Sequence, residues 1–193
     1  MKLKHAVITS VDRDDLEDGG AEIWAETIKQ TKIKNPNTTM EVLIGDFNGL
    51  QHLIQKVIDA KPEVISHNLE TVRRLTPVIR SRAKYDLSLS VLKFMSEQGV
   101  QTKSGIMLGL GESEEEVIQT MDDLIAAGVK IMTIGQYLQP TIKHLPVIEY
   151  ITPHQFKKYE TIGLKKGFQF VESGPMVRSS YHAEKHVKKL SHL

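Results

Sequence analysis

The strongest constraint on this chain is its rhythm. Short apolar runs alternate with amphipathic stretches from one end to the other, at roughly 30 residues per pair. No low-complexity segment interrupts them. The apolar runs are Lys4 to Ser10, Met40 to Ile44, Val64 to Ser66, Gln101 to Leu108, Lys130 to Leu138, and a last short one from Phe168 to Val171. Parallel strands need a crossover of a dozen or more residues, usually a helix, so this spacing predicts a parallel sheet rather than hairpins.

The intervening stretches read as helices. Ile23 or Trp24, with Ile28 and Thr31, marks the first, which Asn35-Pro36-Asn37 ends. Leu50, Leu53, Ile54, Val57 and Ile58 fall at i, i+3, i+4, i+7 and i+8, an amphipathic face that Lys61-Pro62 stops. A short helical stretch to about Leu75 is expected to break at Pro77. The next helix runs from about Asp86 through Leu89, Leu92 and Met95 to a glycine cap at Gly99. Ser113 and Glu116 form a capping box for a helix carrying Val117, Met121, Leu124 and Ile125, up to Gly128. Thr152-Pro153 starts the last long helix, with Phe156, Tyr159 and Ile162 inward and Gly167 as cap.

Polar residues collect after nearly every strand: Asp12, Asp46, Asn68 with Glu70, Glu112, and Gln136. A barrel brings all strand ends to one mouth, whereas an open doubly wound sheet gathers its site at one switch point. The expected fold is therefore α/β, a TIM-like barrel or part-barrel over residues 1–173, with a polar, basic tail over 174–193. The first strand begins at about residue 4 with nothing before it to cover its edge. The chain is expected to be the later part of a longer protein, or to pair with another piece.

Composition excludes several classes. Lys and Arg number 25 against 24 Asp and Glu, so bulk charge points to no nucleic-acid partner. No apolar run approaches a membrane span, and the start is too short and strand-like for a signal peptide, so the cytoplasm is the default location. There is no cysteine. Disulfides, zinc–thiolate sites and cysteine nucleophiles are excluded within these residues, and an iron–sulfur cluster needs its thiolates from elsewhere.

Four stretches could carry chemistry. In Lys103-Ser-Gly-Ile-Met-Leu-Gly-Leu-Gly-Glu112, a strand with glycines opens onto a helix, and the bare backbone suits a flat ligand or simply a tight turn. Asn68 and Glu70 fall on one side of a strand exit, where an amide and a carboxylate suit sugar hydroxyls or a helix cap. Lys103 sits inside an apolar strand. It reads as a Schiff-base nucleophile, or as a lysine at the solvent end or paired with a mouth acid. His182 and His186, at i and i+4, read as a metal pair or as solvated tail residues.

Taken together, five stretches resemble the lipoyl synthase family of radical S-adenosylmethionine enzymes. They are Val7-Ile-Thr-Ser-Val-Asp-Arg-Asp-Asp15 with Asp18-Gly19-Gly20; His67-Asn-Leu-Glu-Thr71; Lys103 to Glu112; Thr133-Ile-Gly-Gln-Tyr-Leu-Gln-Pro140 with Lys143-His-Leu-Pro146; and Ser173-Gly-Pro-Met-Val-Arg-Ser-Ser-Tyr-His-Ala183. The resemblance runs almost end to end and in the family's order. It implies a partial (β/α)6 barrel whose first strand is missing here. It implies two 4Fe-4S clusters, one cleaving S-adenosylmethionine to a 5′-deoxyadenosyl radical and the other giving up sulfur. It implies an octanoyl chain, carried on a protein lysine, as the acceptor of two sulfurs.

Residue by residue, the resemblance places Asn68 and Glu70 near the ribose of S-adenosylmethionine. Gly105, Met107, Gly109 and Glu112 belong to the strand that cradles the adenosine. Gln136 and Tyr137, with Gly135, belong to the strand whose backbone meets adenine. Gly19-Gly20 falls where related enzymes hold the methionine amino group. Ser180 matches the serine that ligates the sulfur-donating cluster, with Arg178 beside it. The family's cysteine motifs lie upstream of this sequence, so the chain alone is expected to hold neither cluster and to be inactive by itself. Its expected partners are an octanoylated carrier protein and an N-terminal piece bearing the cysteines. Two other readings stay open: a non-enzymatic remnant that binds a nucleoside or partner, and a barrel enzyme using Lys103.

Overall fold

The computed structural model describes residues 3–80 and 82–188. The last five residues of the expected tail, 189–193, lie outside the described residues. Six strands form one sheet: β1 (His5–Thr9), β2 (Thr39–Leu43), β3 (Val64–Ser66), β4 (Gln101–Leu108), β5 (Ile131–Gln136) and β6 (Phe170–Ser173). They pair in sequence order and every pair is parallel. Sequential parallel order has no switch point and curls one way, the topology of a part-barrel. The sheet stays open between β1 and β6.

The helices are α1 (Ala21–Lys34), α2 (Gln51–Asp59), α3 (Thr76–Ile79), α4 (Tyr85–Glu97), α5 (Glu114–Ala126), α6 (Pro153–Lys166) and α7 (Ala183–Lys188). The local signals hold where neighbours decide. Both halves of the Ser113–Glu116 capping box are formed, Thr152 caps α6 through the Gln155 N–H, and Gly167 ends it at φ 111°. Trp24, not Ile23, faces the core. Two expectations are corrected. Leu50 stands before α2, with its side chain half exposed. Pro77 opens α3 instead of breaking a helix, since a missing N–H costs nothing in the first turn.

Each strand alternates between two very different faces. Met40, Val42, Ile65, Ile106, Leu108, Met132 and Ile134 point outward and pack with helix residues such as Ile28, Leu92, Met121 and Phe156 into one apolar core. The inward, concave face is mostly polar. It presents Glu41, Ser66, Lys103 and Thr133, all buried.

What buries this polar face is the segment after β6. Gly174 N–H still bonds Ile134 O at the top. Val177 O then lies so close to Gly135 that a Cβ there would sit 2.4 Å from it. Ser179 O accepts from Lys103 Nζ. At the bottom Val187 of α7 joins Val64, Ile131 and Phe170 in a small apolar cluster. The tail therefore runs back down inside the open barrel. His186, read above as a solvated or metal-binding residue, is fully buried, its ring tilted on Phe170 at 5.2 Å. His182 lies just before α7 at φ 50°, so the two histidines do not share a helical face.

Burial pushes the His186 pKa down to about 4. Burial likewise lowers that of His67, whose ring nitrogens bond Ile44 O and Ser88 Oγ. Between the unfolded value of about 6.5 and the lowered folded value, the unfolded chain binds more protons. Stability is thus full above about pH 6.5 and falls as the pH drops toward 4, at no more than about 1.4 kcal/mol per pH unit for each histidine. Urea midpoints taken from pH 7.5 to 4.5 will show this slope, and His186→Leu will flatten its share of it.

Candidate functional site

The upper half of the concave face is left open as a cavity of about 280 Å³. Asn68, Glu70, Gly105, Met107, Thr133, Gly135 and Gln136 line it from the sheet, and Val177, Arg178 and Ser179 form its floor. Its volume lies near the small end of the range for small-molecule pockets.

The chain leaves β3 in a shape that aims two acceptors into this space. His67 is anchored below, and Asn68 O accepts from the Arg80 guanidinium at 2.9 Å. Glu70 turns through the left-handed region at φ 67° and locks onto β4, with its N–H bonding Gly105 O and its C=O accepting from Met107 N. The Asn68 amide donates to Glu70 Oε1 at 3.1 Å, while Asn68 Oδ1 is buried with no protein partner. Burial raises the pKa of the Glu70 carboxyl, with the Asn68 hydrogen bond and the Arg80 charge opposing it. Two neighbouring oxygens, one wholly unpartnered, match the two hydroxyls of a ribose cis-diol.

Beside them stand two glycines of the sheet, Gly105 and Gly135, between the side chains of Met107 and Thr133. A Cβ at Gly105 would lie 2.4 Å from Thr133 Oγ1 and 3.2 Å from Asn68 Oδ1. Gly135 is equally tight against Val177 O. Both glycines thus let the protein's own atoms, Thr133 Oγ1, Asn68 Oδ1 and Val177 O, pack against the strands, and Met107 lines the cavity beside them. The structure thus brings Asn68, Glu70, Gly105, Met107 and Gln136 together.

Glu112, Gly109 and Tyr137 stand just above, in the turn that closes β4. The Glu112 carboxylate accepts from Gly109 N at 2.6 Å and Leu110 N at 2.9 Å. Gly109, at φ 100°, passes so close that a Cβ would sit 2.3 Å from both Gln136 Nε2 and Glu149 O. Gln136 Nε2 lies 3.0–3.1 Å from the carbonyls of Leu108, Tyr137 and Glu149, which share its two N–H donors, and Oε1 accepts from Ile151 N. Tyr137 Oη donates to Leu145 O at 2.9 Å. These side chains are spent on backbone, leaving backbone atoms of the turn to face a ligand.

Asp12, Asp46 and Gly19 line a second, wider cavity of about 650 Å³ at the mouths of β1 and β2, with Arg13, Arg80 and Arg82. Ser180 is exposed beside the floor of the smaller one. Among the described residues no group of three or more His, Asp or Glu is arranged to hold a metal, and the chain has no cysteine. The donor set therefore does not fit a 4Fe-4S cluster, while the acceptor pair and the cavity beside it do fit the adenosine half of a nucleoside cofactor. Sequence reasoning missed Thr133 and Glu41. An acid at an inward position of a buried strand was the available signal for Glu41.

Comparison with known proteins gives the family and the fold. The profile of the radical SAM superfamily matches residues 1–124. The chain is 67% identical to the lipoyl synthase of Phocaeicola vulgatus over 97% of its own length and 66% of that protein. It is 63% identical to the lipoyl synthase of Flavobacterium johnsoniae over 97% of its length and 65% of that protein. The chain thus spans just under two thirds of these curated relatives. Among solved structures, methylornithine synthase superposes with a TM-score of 0.67 at 13% identity, over 97% of this chain and 66% of that one. At that identity the likeness concerns the fold alone. Among the described residues no helix is long and apolar enough to cross a membrane.

Proposed function

The chain belongs to the lipoyl synthase family of the radical SAM superfamily, and on that footing we propose that it is the S-adenosylmethionine-binding part-barrel of a lipoyl synthase. The observation that carries this reading is the unpartnered Asn68 Oδ1 beside Glu70, in the cavity that Gly105 and Met107 also line. Asn68 and Glu70 accept the ribose hydroxyls, and the strand backbone from Gly105 to Met107 and at Gly135 to Tyr137 receives the base. Gly19 and the acids of the wider mouth face the methionine end. When bound, S-adenosylmethionine supplies the radical chemistry for which the superfamily is named. The acceptor is an octanoyl chain on a carrier-protein lysine, into which two sulfurs enter. The thiolates of both clusters come from polypeptide outside these 193 residues, and Ser180 adds an oxygen ligand to the sulfur-donating one. This work is placed in the cytoplasm.

Calorimetric titration of the chain with S-adenosylmethionine tests the binding half. Micromolar to millimolar binding is expected, weakened at least tenfold by Asn68→Leu and abolished by Gly105→Val. Absence of binding by the folded chain overturns the site. Anaerobic reconstitution with iron, sulfide and a cysteine-bearing N-terminal polypeptide tests the rest. Conversion of an octanoylated carrier only in that mixture is expected. Nucleoside binding without conversion would instead favour a binding remnant. The Lys103 enzyme reading finds no support, because three acceptors already surround Nζ: Glu41 Oε1 at 2.8 Å, Glu41 Oε2 at 3.1 Å, and Ser179 O.

A further inference from the structure

The function proposed above makes no use of Lys103 or Glu41, although both are completely buried. They meet across the concave face from β4 and β2, with Ser66 of β3 donating to Glu41 Oε1 at 2.7 Å. A lysine needs three acceptors to satisfy its ammonium. The sheet supplies only the Glu41 carboxylate. The third acceptor, Ser179 O, belongs to the tail, 76 residues away in sequence.

We infer that Lys103 is a positioning residue: held against Glu41, it pins the returning tail at Ser179 and so helps set both the floor of the nucleoside cavity and the place of Ser180. Three observations converge on it. Among the described residues of the tail, Val177, Arg178 and Ser179 are the ones that line the cavity. Gly135 has no room for a side chain because Val177 O already lies against it. Directly after the pinned carbonyl the backbone makes turn bonds, Tyr181 N to Arg178 O and Ala183 N to Ser180 O, and the next contact with the sheet is that of the His182 ring with Glu172 of β6. Among the described residues the hydrogen bond from the sheet to Ser179 is that of the Lys103 ammonium, so the height of Ser180 on the concave face is set from one side by Lys103 and from the other by the His182 contact with Glu172. The pinning rests on the fold alone. Only its use, presenting Ser180 to a cluster, rests on the function proposed above.

Peptide-resolved hydrogen exchange on the whole chain reads the pinning without any cluster. Because Lys103→Met alone risks unfolding, the paired variant E41M/K103M removes both charges, and Gly135→Ala separately displaces Val177 O with the ion pair intact. The expected result is at least tenfold faster exchange at the amides of 177–187 in each variant, with β4 and β5 amides unchanged. Exchange within twofold of the parent in the folded variants overturns the inference. Equal loosening of tail and sheet also overturns it, since Lys103 would then serve only the fold. Titration of the parent with S-adenosylmethionine keeps the two ideas apart. A pinned tail without nucleoside binding sinks the proposed function alone, and binding with an unpinned tail sinks the latch alone.

Discussion

Lys103→Met lowers the stability of the folded chain by about 3–5 kcal/mol, because Glu41 is left buried with its charge uncompensated. Both side chains have no solvent exposure, so water cannot take over the lost contact, and the Ser66 hydroxyl alone cannot neutralise a carboxylate. E41M/K103M recovers most of the loss, since two apolar side chains of similar volume restore packing without desolvating a charge. Urea denaturation of the two single variants and the double one gives the coupling. If Lys103→Met costs no more than the double variant, the pair is not a compensated buried ion pair and this account fails. The result also separates stability from positioning: the double variant regains stability while its tail stays loose.

Gln136→Leu costs about 3–5 kcal/mol and abolishes nucleoside binding through the fold, not through a lost ligand contact. The two N–H donors of the amide are shared among three carbonyls while its oxygen accepts from Ile151 N; each full bond contributes about 1 kcal/mol and each buried group left unpaired costs about 1–3 kcal/mol. Leucine fills the volume and serves none of them. The β4 exit turn and the end of the 138–152 loop then come apart together, because Gly109 packs directly on the same amide. Denaturation midpoints and calorimetry on the same preparation decide it. A variant that keeps parental stability yet loses binding would mean that Gln136 touches the ligand itself.

The contrast between these two residues shows what could be read from the sequence. Gln136 was legible as a residue at a strand exit, but not as a clamp, because its four partners come from Leu108, Tyr137, Glu149 and Ile151 on separate segments. Asn68 and Glu70 were legible as neighbours, since an alternation of two is a property of extended backbone. The orphaned Oδ1 was not, because it depends on what β4 places opposite. Glu112 was legible at the mouth, yet it turned out to bond the turn's own N–H groups.

The sequence by itself determined the strand and helix rhythm, the caps at Ser113, Thr152 and Gly167, the parallel sheet and the family. Each follows from residues within about one turn or one strand of each other, or from motifs that stand in order along the chain. Only the tertiary structure decided that Lys103 meets Glu41 across 62 residues, that the tail descends inside the barrel, and that His186 is buried beneath it. Those depend on closing long loops, whose cost is recovered only when the sheet, its polar inner face and the tail come together. A polar side chain on an inward strand position carries no mark of its partner until that partner arrives.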